Sequence, residues 1–215
     1  MTLNIKINDN LNIDFDKHPH LLVYGRGLTF GPDNYDEFKN NIFYTEKGMR
    51  YAPCVLNKVA SIHAYYYKWT NECSEIEQRL NERYQLFNAL NVKNITEFNE
   101  QFKIERMKYA VAFVTVPTSV KNVDLLKQIL EKGRAAGIIM IMFVNDLWRV
   151  QRYNVLDMFT TKIIFGAKTE EESILLTGEK GAENLGYGDV MLSELGKKPV
   201  IFSNNMWLYN DRPDW

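Results

Sequence analysis

The sequence predicts an α/β domain with a largely parallel central sheet and an N-terminal β-hairpin. Strand-like and helix-like segments alternate through the second half of the chain, as they do in repeated βα units. The run from Ile138 to Val144 is apolar on both faces, which is typical of a parallel strand covered by helices. With 215 residues, 46% of them hydrophobic, the chain is long enough to bury a sizeable core.

The N-terminal segment has the pattern of strands. Apolar and polar residues alternate on both sides of Asn8-Asp9-Asn10, which predicts two strands joined by a turn. A third apolar run, Leu21 to Tyr24, ends at Gly25. Glycine, proline and polar residues then predict a loop over 25–41, followed by a short strand at 42–44.

The middle of the chain has the clearest helical periodicity. Apolar residues at steps of three or four over 58–90 predict one long amphipathic helix. A short helix is expected near 96–102 and a strand at 109–116. A further helix over 123–136 is expected to end at Gly137, because glycine accepts the left-handed backbone that closes many helices.

The C-terminal third continues the alternation. A strand is predicted at 162–165, and a capping box at 169–172 predicts the start of a helix that stops at Gly178. Two short strands, at 189–192 and 199–202, complete the pattern.

Composition excludes several classes of protein. The 26 Lys and Arg residues balance 27 Asp and Glu residues, so the whole chain has no field that would attract DNA or an anionic membrane. Neither the two cysteines, Cys54 and Cys73, nor the three histidines have the spacing of a zinc site or a disulfide framework. No apolar stretch is long enough to span a bilayer. We therefore expect a soluble, cytoplasmic protein without a metal ion.

Ligands bind at the carboxyl ends of strands in parallel sheets, so the residues that follow each predicted strand are the candidates for chemistry. The loop after the third strand begins Gly25-Arg26-Gly27 and has no Gly-Lys-Ser/Thr, the combination that cradles a polyphosphate. A phosphate site and a plain surface loop both remain open there. The strand over 109–116 ends in Thr115-Val116, without the carboxylates that hold magnesium.

A third strand end carries polar and basic residues. Asn145-Asp146 follows the strand 138–144. These residues are either a polar sensor with a small basic patch or a helix cap followed by a solvated helix face. The candidate contacts to DNA or phosphate are Arg149, Arg152, Lys162 and Lys168.

Five stretches, in the same order along the chain, resemble motifs of FtsK/SpoIIIE-type DNA translocases. The segment 181–192, GAENLGYGDVML, resembles the family's GAExLLGxGDML signature, and 20–25 resembles its PHLLVAG strand. The segment 81–95 is similar to ERRYxLxxxxGVRNI, 133–138 to KARAAGIH, and 161–165 to PTRIAF. The resemblance implies a RecA-like, three-layer domain over the single unit 1–215, with a hairpin at 1–17, a core at 18–203 and a tail at 204–215.

The resemblance also locates departures from the family. Where the family has its lysine-bearing P-loop, this chain has Gly25 to Pro32. Thr115-Val116 stands in place of the family's Asp-Glu, and Val144-Asn145 in place of its Thr-Gln sensor. The degenerate nucleotide-site positions are Gly25, Arg26, Gly27, Thr115, Val116 and Asn145.

These departures predict a pseudo-ATPase without catalytic residues and without a cofactor. Its expected role is to bind related motor subunits, other copies of itself, or DNA, and not a membrane. The alternative is an active ATP-dependent DNA translocase that binds ATP-Mg at an unconventional site. The missing lysine favours the first interpretation, because phosphoryl transfer depends on charge stabilisation.

Overall fold

The structure is a computed structural model of the 215-residue chain. It describes residues 4–8, 11–15, 17–25, 29–30, 43–44, 50–51, 62–67, 74–116, 120–186 and 189–202. The chain divides into two compact units, the first formed by 1–20 and 55–142 and the second by 21–54 and 143–215.

The described strands and helices are as follows, in chain order: β1 Asn4–Asn8, β2 Leu11–Asp14, β3 His20–Tyr24, β4 Thr29–Phe30, β5 Phe43–Tyr44, β6 Arg50–Tyr51, β7 Ile62–Tyr67, α1 Ser74–Ala89, α2 Ile95–Gln101, β8 Tyr109–Thr115, α3 Val120–Ala136, β9 Ile138–Val144, α4 Leu147–Arg152, β10 Thr161–Ile164, α5 Glu170–Thr177, β11 Val190–Glu194 and β12 Val200–Phe202. Two short 3₁₀ helices lie at Leu156–Met158 and Ala182–Asn184.

The first unit contains the N-terminal hairpin and three neighbouring strands. β1 and β2 pair antiparallel, as the turn sequence predicts. β7 and β8 pair parallel, from Ile62 opposite Tyr109 to Tyr67 opposite Val114, and β9 follows β8 in the strand order. All seven residues of β9 are buried, which agrees with its two apolar faces.

The second unit contains the carboxyl ends of β3, β9 and β10, where the candidate functional site lies. β3 and β10 pair parallel, from Leu21 opposite Thr161 to Tyr24 opposite Ile164. β10 pairs antiparallel with β11, and β11 with β12. β4, β5 and β6 form a separate three-stranded antiparallel sheet. The fold is therefore mixed α/β with a mostly parallel main sheet, and the predicted fold class is confirmed.

The prediction of one helix over 58–90 is wrong in its first part. Ile62–Tyr67 is strand β7, and the helix begins only at Ser74; 58–61 and 68–73 lie outside the described residues. A step of four residues keeps two side chains on one face in a strand as well as in a helix. Ile62 and Tyr66 therefore fit both periods, and the β-branched and aromatic composition of this segment favours a strand.

Most other elements lie where the sequence predicts them. α5 begins after the N-cap Thr169, whose side chain accepts a hydrogen bond from the Glu172 N–H, and ends at Gly178 in the left-handed conformation. α3 begins at Val120, three residues before the predicted start. The predicted loop over 25–41 contains the short strand β4, and the remainder of that loop beyond Gly25 lies outside the described residues.

Candidate functional site

The carboxyl ends of three strands meet in the second unit, and we call this region the strand-end edge. It comprises Tyr24 and Gly25 after β3, Val144 and Asn145 after β9, and residues 165–168 after β10. The Gly25 N–H donates a hydrogen bond to the Val144 carbonyl at 3.2 Å, and the Phe165 N–H donates to the Tyr24 carbonyl at 2.8 Å. These bonds hold the strand ends side by side, in the position where parallel sheets bind ligands.

A buried tyrosine fixes one side of the strand-end edge. Tyr24 is completely buried, and its hydroxyl donates a hydrogen bond to Glu172 Oε2 at 2.8 Å. The same carboxylate oxygen accepts the Lys168 N–H at 2.7 Å. The first turn of α5 is thereby tied to the end of β3. The family strand that 20–25 resembles has alanine where this chain has Tyr24, so this tie belongs to the departures from the family's pattern.

The candidate nucleotide-site positions are only partly brought together. Gly25 and Asn145 both lie on the strand-end edge, where Gly25 is buried and Asn145 exposed. Their polar groups are a backbone amide already bonded to Val144 and a neutral side-chain amide. Thr115 ends β8 and Val116 follows it, both in the first unit. Arg26 and Gly27 lie outside the described residues.

Two of the four candidate phosphate contacts share one neighbour. The Arg149 guanidinium lies 5.6 Å from the ring centroid of Trp148, and the Arg152 guanidinium lies 6.0 Å from it. We call these three residues the Trp148 patch. Sequence reasoning selects the two arginines but misses Trp148, although an aromatic residue at spacings of one and four from arginines is a visible signal.

The remaining basic candidates have different surroundings. Lys168 is exposed and lies two residues before the start of α5. Lys162 on β10 is half-buried, and desolvation lowers the pKa of its ammonium group against the opposing attraction of Asp157. Asp146 occupies the N-cap position of α4, as expected, but its side chain makes no capping hydrogen bond. The carboxylate expected to cap this helix therefore does not do so.

In the first unit, two of the family-like stretches, 81–95 and 133–138, meet around one buried arginine. Arg83 is 8% exposed. Its Nη1 donates hydrogen bonds to the carbonyls of Ala136 at 2.6 Å and Gly137 at 3.0 Å, and its Nη2 donates to the Lys108 carbonyl at 2.8 Å. The guanidinium thus satisfies carbonyl groups at the C-terminal end of α3, which otherwise have no helical partner. We call this arrangement, together with Ile95, the Arg83 junction.

The residues next to Arg83 also stabilise the fold, through close packing and a helix cap. Gly137 has a φ of +67°, and a Cβ atom there would overlap with Ile95 Cδ1. Ile95 opens α2, where Asn94 accepts the Glu97 N–H at 2.9 Å as the N-cap. A groove of about 640 Å³ borders these residues and is also lined by Arg134. The segments 81–95 and 133–138 therefore resemble the family where they hold the fold together.

The C-terminal segment 181–192 is also held in place by hydrogen bonds to its backbone. The Ser173 hydroxyl of α5 donates to the Glu179 carbonyl at 2.8 Å and accepts the Ala182 N–H at 2.9 Å. The Gly186 N–H donates to Asp189 Oδ2 at 3.0 Å, immediately before β11. This bond joins Gly186 to Asp189; Tyr187 and Gly188, between them, lie outside the described residues.

His20 belongs to the interior of the first unit. It is 2% exposed, and its Nδ1 accepts the Met140 N–H at 3.1 Å. Burial lowers the pKa of His20 to about 3, against the opposing effect of a hydrogen bond with the Leu130 backbone. The imidazole is therefore neutral at physiological pH. Within the described ranges, no group of three or more His, Cys, Asp or Glu side chains could hold a metal ion.

Comparison with solved structures identifies the fold. The chain is similar to the monomer form of the pCW3 conjugation coupling protein TcpA with ATPγS, at 17% identity and a TM-score of 0.66, over 98% of this chain and 66% of that one. It is similar to the cytoplasmic domain of the Thermomonospora curvata type VII secretion ATPase EccC, at 12% identity and a TM-score of 0.65, over 99% and 29% of the two chains. ATPases 2 and 3 of EssC from Geobacillus thermodenitrificans match at 13% identity and a TM-score of 0.63, over 98% and 46%.

These neighbours are ATPases of the FtsK/SpoIIIE family, and the chain has an FtsK/SpoIIIE-like P-loop fold. The chain spans at most about two thirds of the length of each of the three structures. No family model matches the sequence, and no curated protein matches it. None of the described helices is long and apolar enough to cross a membrane.

Proposed function

We propose that the chain is a catalytically degenerate FtsK/SpoIIIE-like domain, a pseudo-ATPase that acts as a binding or regulatory module. Its partners under this proposal are related motor subunits, further copies of the same chain, or DNA, in the cytoplasm. The observation that carries the proposal is the chemistry of the strand-end edge. The eight residues from Gly25 to Pro32, which follow β3, contain no lysine, and the Gly25 amide is already bonded to Val144.

The physical reason is the charge that phosphoryl transfer requires. A P-loop ATPase neutralises the polyphosphate with a lysine, backbone amides and a magnesium ion held by carboxylates and a hydroxyl. Thr115 and Val116, at the position where the family has its acidic pair, carry no charge. Preorganised charge supplies the largest share of this catalysis, so hydrolysis is expected to be lost.

A second candidate function is an active ATP-dependent DNA translocase with an unconventional nucleotide site. Two observations favour it. The strand-end edge keeps Gly25 and Asn145 beside adjacent strand ends, and the structure of the similar TcpA protein was determined with ATPγS. In this alternative, Arg26 would supply the positive charge that the family takes from lysine.

Phosphate release distinguishes the two functions. The purified chain is titrated with ATP-Mg, with and without duplex DNA, alongside the variants Arg26→Ala and Asn145→Ala. Arg106→Ala is the matched control, because Arg106 is an exposed arginine of the first unit. The pseudo-ATPase proposal expects release at background in every sample. Turnover that disappears in Arg26→Ala or Asn145→Ala but persists in Arg106→Ala would establish the active translocase.

The mass in solution tests the type of partner. Light scattering that gives the mass of one chain supports an accessory module for other subunits. A hexameric mass would instead support a ring of identical subunits and favour the translocase.

A further inference from the structure

The Trp148 patch presents a large aromatic side chain on the surface of the second unit. Trp148 is 49% exposed, whereas its neighbours on α4, Leu147 and Val150, are 2% and 0% exposed. These two residues anchor the inner face of the helix, and Trp148, Arg149 and Arg152 lie on its outer side. Trp148 and Arg152 are four residues apart, so they are neighbours on the helix surface. The indole is thus held on an ordered element that follows the fully buried strand β9.

The two guanidinium groups of the Trp148 patch belong to exposed residues of α4. In the part of the chain that the structure describes, neither Arg149 nor Arg152 forms an ion pair with a carboxylate. The contact recorded for each guanidinium is with the Trp148 ring. Asp146, two residues before Trp148, brings one negative charge to the same segment against the two positive charges. An anionic partner is therefore the electrostatic complement of this surface.

An exposed indole flanked by arginines suits a specific kind of anion. A base has a flat face that stacks on an aromatic ring, and the phosphates on either side of it can contact guanidinium groups. A duplex keeps its bases stacked on one another and offers chiefly phosphates to such a surface. An exposed cation–π contact is weaker than base stacking on an aromatic ring. A base can therefore replace a guanidinium at the ring, which leaves that guanidinium for a phosphate.

We propose that the Trp148 patch binds single-stranded nucleic acid, with Trp148 stacking on an unpaired base and with Arg149 and Arg152 contacting the flanking phosphates. This proposal deepens the proposed binding function by naming the chemistry of the partner. A membrane surface fits less well, because helices that lie on membranes need a large exposed apolar face, and here Leu147 and Val150 are buried.

The test measures fluorescence anisotropy of a labelled oligothymidylate of about 12 nucleotides, within the usual range of site sizes. A duplex of equal length is measured in parallel. We expect tighter binding to the single strand than to the duplex. Trp148→Ala should weaken single-strand binding about tenfold and leave duplex binding nearly unchanged. Trp148→Phe should retain most of the single-strand affinity, because phenylalanine also stacks.

Salt dependence tests the two arginines. The double variant Arg149→Gln/Arg152→Gln should weaken binding to both oligonucleotides. It should also lower the slope of log affinity against log salt by about 1.4 for the single strand, since each phosphate contact contributes about 0.7. Lys103→Gln/Arg106→Gln is the matched control, because it removes the same charge from two exposed residues of the first unit. The control should change neither affinity nor slope.

Three results would overturn the proposal. In the first, the chain shows no measurable binding to either oligonucleotide. In the second, Trp148→Ala binds the single strand as tightly as the parent chain does. In the third, the chain binds phosphatidylserine vesicles and does not bind oligonucleotides. Circular dichroism confirms that each variant is folded. The binding measurements contain no ATP, so they are independent of the ATPase result. ATP turnover would contradict the pseudo-ATPase proposal and leave the nucleic-acid proposal unaffected. Unchanged single-strand affinity in Trp148→Ala would contradict the nucleic-acid proposal and leave the pseudo-ATPase proposal unaffected.

Discussion

The Arg83 junction of the first unit and the strand-end edge of the second both contain residues from the family-like stretches, but they use them differently. In the junction, three hydrogen bonds of Arg83 end on backbone carbonyls, and these bonds stabilise the fold. On the strand-end edge, Asn145 is exposed, and the residues after Gly25 depart from the family's phosphate loop. The family-like residues of the junction therefore hold the fold together, whereas under the proposed function the strand-end edge has lost the family's chemistry.

The largest effect is expected from Arg83→Met. This change leaves three carbonyls of the junction without their donor, and hydrogen bonds to a charged group contribute about 1.5–3 kcal/mol each, with unsatisfied partners adding to the loss. We expect the free energy of unfolding to fall by about 4 kcal/mol, measured by urea denaturation followed by circular dichroism. Arg106→Met, at an exposed arginine, should change it by less than about 0.5 kcal/mol. Equal losses in the two variants would show that the junction is not what stabilises the first unit.

Two glycines give a matched comparison between the units. Gly137 and Gly178 both have positive φ, +67° and +81°, but a Cβ at Gly178 would meet no atom within 4 Å. Gly178→Ala should cost about 1 kcal/mol for the left-handed backbone alone. Gly137→Ala should cost about 3 kcal/mol, because the new methyl also overlaps with Ile95 in a packed site.

A double variant separates packing from backbone strain at Gly137. Ile95→Val removes Cδ1, the atom with which the new methyl overlaps. Added to Gly137→Ala, it should therefore cost less than it costs in the parent chain. Additive losses would mean that the overlap with Ile95 Cδ1 does not contribute to the effect of Gly137→Ala.

The pH dependence of stability tests the buried histidine of the first unit. The pKa of His20 is lowered to about 3 in the folded chain, so between pH 6.5 and 3 the unfolded chain binds a proton that the folded chain does not. Stability is therefore full above pH 6.5 and decreases as the pH falls through this window. At pH 5 the loss should be about 2 kcal/mol, measured by urea denaturation at pH 7.5 and pH 5.

His20→Asn is the variant that isolates this effect. Its side-chain oxygen can still accept the Met140 N–H, but it does not titrate. The difference in unfolding free energy between the two pH values should therefore shrink by about 2 kcal/mol. An unchanged difference would show that other groups cause the acid sensitivity.

The sequence predicts structure well where near neighbours decide it. The cap of α5 is such a case, because Thr169 and Glu172 lie three residues apart, and the expected bond is formed. The acceptors of Arg83 lie 25, 53 and 54 residues away from it, so no local pattern could reveal its role. Strand β7 is missed for the same reason, since it is stabilised by pairing with β8, which begins at Tyr109.

In the candidate site, too, local patterns predict some features and contacts between distant residues decide the others. Arg149 and Arg152 are exposed, which agrees with both interpretations of this segment, the basic patch and the solvated helix face. Helical spacing does not predict that Trp148 stays exposed, because that depends on Leu147 and Val150 filling the space beneath α4. Each strand end can be located from its own apolar run, but only the structure shows that Gly25 and Val144 are hydrogen-bonded neighbours.

The smallest effect is expected at the strand-end edge, from Tyr24→Phe. The variant loses one hydrogen bond, from the hydroxyl to Glu172 Oε2, while the ring keeps its buried position and the carboxylate keeps the Lys168 N–H. We expect the free energy of unfolding to fall by about 1 kcal/mol, well below the effect of Arg83→Met, because Glu172 is only half-buried and water can replace the lost donor. Glu172→Gln retains an acceptor for both donors and should cost less than Tyr24→Phe. If Tyr24→Phe instead destabilised the chain as much as Arg83→Met does, the strand-end edge would be as important for the fold as the junction, and the contrast between the two regions would not hold.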